Sequence, residues 1–113
     1  MVLALPARPA FVSDAERVVW EALAAELRDE DVLLHSVRLT DAVDGDVEID
    51  LLVLMPDLGA AIVEVKGGHL TYCDGLVHQT GASGTHAVDP AGQAAKGARA
   101  LRRFVERQPT WSA

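Results

Sequence analysis

The spacing of hydrophobic positions changes along the chain, and each change marks an element. Val19, Trp20, Leu23 and Leu27 recur at three- and four-residue intervals, the stripe of a helix that buries one side. Ser13-Asp14-Ala15-Glu16 precedes that stripe with the spacing of a capping box, so a helix is predicted from Ser13 to about Arg28. Residues 32–39, rich in Val and Leu, predict a first strand, and Asp44-Gly45 a hairpin turn. A second strand is predicted over 47–55, where Ile49 and the run Leu51, Leu52, Val53, Leu54 imply burial on both faces, interrupted by Asp50. Pro56 to Gly59 is turn chemistry, 60–66 reads as a third strand, and Gly67-Gly68 ends it. Beyond lie a short hairpin around Asp74-Gly75 and a flexible loop over 81–84. Asp89-Pro90 then opens a last helix running to roughly Arg107, with Ala94, Ala98, Leu101 and Val105 as its buried stripe.

Composition narrows this to one core. The chain has 113 residues, 50% hydrophobic and 24% charged, which suits a single α/β domain spanning 1–113 with residues 1–12 as an N-terminal extension. No apolar run approaches the about 20 residues that span a bilayer, and the apolar opening lacks a basic leader. With the single Cys73, this leads to the expectation of a cytoplasmic protein. His69, Cys73, His78 and His86 fit no common zinc spacing, and no phosphate loop with a following Lys and Ser or Thr is present.

The net charge of −7 argues against nucleic-acid binding by bulk electrostatics. Its distribution is uneven. Acids crowd residues 29–50, whereas Lys96, Arg99, Arg102, Arg103 and Arg107 crowd the last helix. Lys96, Arg99 and Arg103 recur along one side of that helix, either as a solvated face or as a strip for phosphate contact.

The charges that call for an explanation are Asp50, Glu64 and Lys66, which sit among apolar strand neighbours where an unpaired charge costs several kcal/mol. A divalent cation is one compensating partner, and a salt bridge to Lys66 is another. Two converging carboxylates offer the hard oxygen ligands that Mg2+ or Mn2+ takes, and a lysine on the same side can orient a water beside a phosphate. In an antiparallel hairpin, Asp50 and Glu64 share a face only if opposed residue numbers sum to an even value. A turn that pairs Met55 with Gly59 meets this condition and sets Asp50 opposite Glu64, whereas a four-residue loop from Pro56 to Gly59 puts them on opposite faces unless a bulge intervenes.

Asp50 followed by Glu64-Val65-Lys66 resembles the split acid and Glu-x-Lys motif of the PD-(D/E)XK nucleases, and more closely the nuclease-related domain (NERD) family. The resemblance extends to Glu16 on the first helix, Glu-Val-Lys-Gly-Gly at 64–68, and Pro-x-x-Gln-Ala at 90–94, covering about 13–103. It implies a restriction-endonuclease-like fold, a three-layer α/β/α sandwich around a mixed sheet. It also implies metal-dependent DNA hydrolysis in DNA processing or repair, with Asp50 and Glu64 as metal ligands and Lys66, Glu16 and Gln93 completing the catalytic set. Lys96, Arg99 and Arg103 then become nucleic-acid contacts. RNA is not excluded as a substrate; a fused or partner helicase-like segment and a homo-oligomer are further expected partners, and no membrane is. No apolar run follows the last helix to supply a further core strand, so the chain reads as a fragment of a longer protein or as one that borrows a strand. The alternative is a non-catalytic nucleic-acid or protein-interaction domain that keeps the nuclease fold. Glu16 as a mere cap, and Gln93 as a mere helix-start residue, are the plainer readings of those two.

Overall fold

The computed structural model describes residues 2–81 and 84–109. Its first helix, α1 (Asp14–Glu26), starts where the cap is predicted: the Ser13 hydroxyl accepts from the Glu16 amide at 3.2 Å. The reciprocal half of the capping box is absent, because the Glu16 carboxylate accepts from the Val12 amide at 3.3 Å. The helix stops at Leu27, which is extended, and the chain turns through Asp31. That aspartate is buried, and it accepts from both the backbone and the guanidinium of Arg28, which hold its carboxyl below the usual range.

A four-stranded mixed sheet follows, built from β1 (Leu3–Leu5), β2 (Val32–Asp41), β3 (Gly45–Met55) and β4 (Gly59–Val63) in that spatial order. β1 is parallel to β2 and the other pairs are antiparallel. The N-terminal extension therefore contributes a strand that the pattern did not reveal. Three residues are too few for alternation to register, although Val2 is buried while Leu3 and Leu5 are exposed.

The β3–β4 turn pairs Met55 with Gly59 and Leu51 with Val63, which is, of the two turns the sequence allows, the one that satisfies the parity condition. β4 ends at Val63, so Glu64 and Lys66 lie just beyond the strand rather than within it. The predicted strand is too long because its local sequence stays apolar and β-branched, while a side chain of β3 takes over the next backbone amide, as described below.

Pleat alternation also breaks at Asp50. Leu51 belongs to the cluster of Val2, Trp20, Leu33 and Val53 beneath α1, whereas Ile49, two residues earlier, lies against Gly97 of the second helix. Strict alternation would put both on one side. Across the strand pair, Ser36 takes φ 54° and the ladder is interrupted between His35↔Leu51 and Val37↔Ile49. The backbone irregularity of β2 thus sits opposite Asp50.

A second, three-stranded antiparallel sheet comprises β5 (His69–Cys73), β6 (Leu76–Gly81) and β7 (Gly84–Val88). The Asp74-Gly75 hairpin forms as predicted, with both residues at positive φ. Of the loop expected over 81–84, Gly81 ends β6 and Gly84 begins β7, and residues 82 and 83 lie outside the described residues. β7 gives no strand signal in the sequence, because it opens on Gly84 and its five residues are too few for alternation to register. Gly68 joins the sheets at φ 75°, where a side chain would place its Cβ 2.5 Å from the Thr80 carbonyl oxygen.

The second helix, α2 (Pro90–Glu106), is capped by Asp89, which accepts from the Gly92 amide at 3.0 Å. Its buried seam is Gly97 and Ala100, not the predicted stripe: Ala98 is exposed, and with Leu101 and Val105 it borders an open apolar groove. The absence of a Cβ at Gly97 lets the helix backbone settle on Ile49 and Ile62, an approach that apolar periodicity cannot signal.

Candidate active site

Continuing the β3–β4 register by one residue puts Glu64 opposite Asp50. There the Asp50 carboxylate accepts from the Val65 amide at 3.0 Å, taking over from the main-chain ladder. The strand assignment ends and the acids converge for this same reason. Lys66 Nζ lies 3.4 Å from Glu64 Oε1. Burial, and then the neighbouring Asp50 carboxylate, push the Glu64 carboxyl above its ordinary value, with Lys66 pulling the other way.

Residues 64–67 have no ladder to hold them, so side chains do. Asp50 binds the amide before Lys66, and Gln79 of β6 donates to the Gly67 carbonyl after it at 2.7 Å. Glu16 enters from the first turn of α1. It is 5% exposed, and its Oε1 contacts both the Val12 amide and the His35 ring nitrogen Nε2. His35 is in turn enclosed edge-on by Phe11 and Trp20, with ring centroids 5.3 and 6.0 Å away.

These groups line a cleft of about 430 Å³ that includes Glu16, Glu48, Asp50, Glu64, Lys66 and Gln79. A smaller recess of about 250 Å³ shares Glu48, Asp50 and Glu64 and adds Gln93 and Lys96 from α2. Six of the residues singled out from the sequence therefore meet around the two acids. Arg99 and Arg103 turn elsewhere: Arg103 clasps Asp41 through two 2.7 Å bonds, and Arg99 lies 3.4 Å from Asp44.

Three residues lining or supporting the site escaped the sequence reading. Glu48 was detectable, since Asp46, Glu48 and Asp50 alternate along one strand. His35 and Gln79 had no local signal, because their partners lie 19 and 12 residues away.

The pair Asp50–Glu64 suits a hard divalent cation. Burial and the facing Asp50 carboxylate make the charge on Glu64 costly, which a cation would offset, and Mg2+ needs few protein oxygens because it keeps waters. Among the described residues no group of three or more His, Cys, Asp or Glu side chains is arranged to hold a metal, and His69, Cys73, His78 and His86 form no such group.

The family pattern of the nuclease-related domain matches residues 12–112, nearly the whole chain. The chain belongs to the nuclease-related domain family. Placement within the PD-(D/E)XK superfamily is consistent with that membership. Comparison with curated proteins and with solved structures finds no match. In this nuclease-related domain, the Glu-Val-Lys-Gly-Gly segment at 64–68 is the stretch that leaves the sheet and is pinned by Asp50 and Gln79. None of its described helices is long and apolar enough to cross a membrane.

Proposed function

We propose that this nuclease-related domain hydrolyses phosphodiester bonds of DNA with a divalent cation at Asp50 and Glu64. The observation that carries this reading is the opposition of Asp50 and Glu64, with Lys66 Nζ 3.4 Å from the Glu64 carboxylate. Mg2+ or Mn2+ held there supplies a lowered pKa for bound water and an offset for phosphate charge. Lys66, anchored on both sides through its backbone neighbours, orients the attacking water toward phosphorus and moderates the charge of Glu64. Asp50 serves twice, as a ligand and as the acceptor that fixes the Val65 amide. Glu16, held by His35 and Val12, presents a third carboxylate at the cleft wall, and Gln93 and Lys96 meet the substrate from α2. Arg99 and Arg103, tied to Asp44 and Asp41, hold the β2–β3 turn to α2.

The same reading gives the finer fold. Ala61 and Val63 of β4 join the cluster beneath α1, while Ile62 between them meets Gly97 of α2, as expected for helices on opposite faces of a restriction-endonuclease-like α/β/α sandwich.

Cleavage of labelled DNA in Mg2+, paired with calorimetric titration of Mn2+, tests the proposal. Wild type is expected to cleave and to bind Mn2+, Lys66→Ala to bind Mn2+ without cleaving, and Glu64→Ala to do neither. Cleavage by Lys66→Ala at the wild-type rate overturns the assignment. DNA binding by a wild type that takes up no metal identifies a non-catalytic module.

A further inference from the structure

The second sheet is the part of the molecule least like the rest. Between His69 and Val88 the sequence carries one acid, Asp74, out of 17 in the chain, and no Lys or Arg. Directly opposed residues of antiparallel strands share a face, so Leu70, Gln79 and His86 form one row across β5, β6 and β7. Tyr72, Val77 and Val88 form the next row of the same face. Gln79, in the middle of the first row, reaches the Gly67 carbonyl and lines the catalytic cleft. Its face of the sheet is therefore continuous with the cleft. The outer members stand open: Tyr72 is 75% exposed, Leu70 44%, and His86 is exposed.

We infer that this face of the second sheet is a track for single-stranded nucleic acid leading into the cleft, with Tyr72 and His86 as stacking platforms for unpaired bases; the inference rests on the nuclease reading above. The charge distribution selects the occupant. A chain of net charge −7 repels a polyanion over most of its surface. The stretch from β5 to β7 carries a single acid, so that repulsion is weak along it, and it offers rings rather than cations. Base stacking on aromatic side chains supplies affinity without a basic patch, and it requires bases that are not already stacked in a duplex. Lys66 and Lys96 at the cleft then receive the backbone phosphates where the track ends.

Fluorescence anisotropy with a labelled oligothymidylate and a matched blunt duplex, in EDTA, tests this without any cleavage. Wild type is expected to bind the single strand more tightly than the duplex. Tyr72→Ala is expected to weaken single-strand binding about tenfold, in the range measured for loss of one stacked base, and Tyr72→Phe to retain it. His86→Ala should show a smaller loss in the same direction. Because Tyr72 is exposed, the circular dichroism spectrum should not change in either Tyr72 variant. No single-strand binding by wild type, tighter duplex binding, or an unaltered Tyr72→Ala overturns the inference. Cleavage of duplex DNA that ignores Tyr72 sinks the track and leaves the nuclease reading intact. Tyr72-dependent binding by a wild type that never cleaves in Mg2+ supports the track and sinks the nuclease reading.

Discussion

Two clusters of acids and a cation lie on the same β3 strand and its neighbours, and they are built in opposite ways. At the β2–β3 turn, Asp41 is buried and receives four hydrogen bonds, two from Arg103 at 2.7 Å and two from the backbone amides of Val43 and Asp44. Arg103, and then the two amides, hold its carboxyl far below the ordinary range. At the other end of the strand segment, Glu64 faces Asp50, meets only one lysine at 3.4 Å, and has its carboxyl raised. The first cluster is internally complete and needs no ligand to be stable. The second keeps two carboxylates together with a single lysine 3.4 Å from Glu64, the arrangement on which the proposed cation site rests. Raw acid count would not have separated them; the direction of each pKa displacement does.

The sharpest way to break the contrast is Asp50→Asn. Cleavage should fall roughly 100- to 1000-fold, the range for removing one electrostatic stabiliser from an active site, while thermal stability holds or rises because the charge repelling Glu64 is gone. A fall in the melting temperature by calorimetry would mean that Asp50 is structural. Arg103→Ala should do the reverse, lowering the melting temperature because Asp41 is left buried without its guanidinium, and leaving Mn2+ affinity of the folded protein unchanged. If Arg103→Ala abolished metal binding in the folded protein, the two clusters would be one.

The pH dependence of unfolding should separate them more finely. A depressed Asp41 carboxyl contributes stability that is present above the ordinary aspartate value, about 3.9, and is lost as pH falls through the folded value. Glu64 has the opposite sign: its raised carboxyl costs stability as pH rises from its ordinary value through the folded one. Chemical denaturation across pH 2 to 7 should therefore show an acid loss that flattens in Arg103→Ala, and a mildly acidic penalty that shrinks in Asp50→Asn but persists through the burial of Glu64. The smallest effect is expected for Arg99→Ala, whose guanidinium is half exposed beside Asp44; a change of about 0.5 kcal/mol or less would show that Arg103 alone supports the turn.

The chain's local patterns were enough to locate both helices, three strands of the main sheet, the Asp74-Gly75 hairpin and the family, whereas they left the parity of the Asp50–Glu64 register open, and the β3–β4 pairing decides it. Helix caps, β-branched runs and turn residues act over a few positions, so their signals are contained in the sequence itself. Other features were missed for physical reasons that can be named. β1 is too short to show a period, and the seam at Gly97 works by lacking a side chain. The end of β4 is set by a carboxylate 15 residues away that captures the Val65 amide. Arg99 and Arg103 had the spacing of a phosphate-binding strip, and only the fold brought Asp41 and Asp44 from about 60 residues earlier to claim them.

By itself, then, the sequence determined which residue types occupy which elements, and from their order the nuclease-related family. The tertiary structure decided which charges are paired and which two carboxylates stand together. Neutralisation depends on distances of about 3 Å between groups far apart in the chain, and these exist only after the sheet register and both helices are in place.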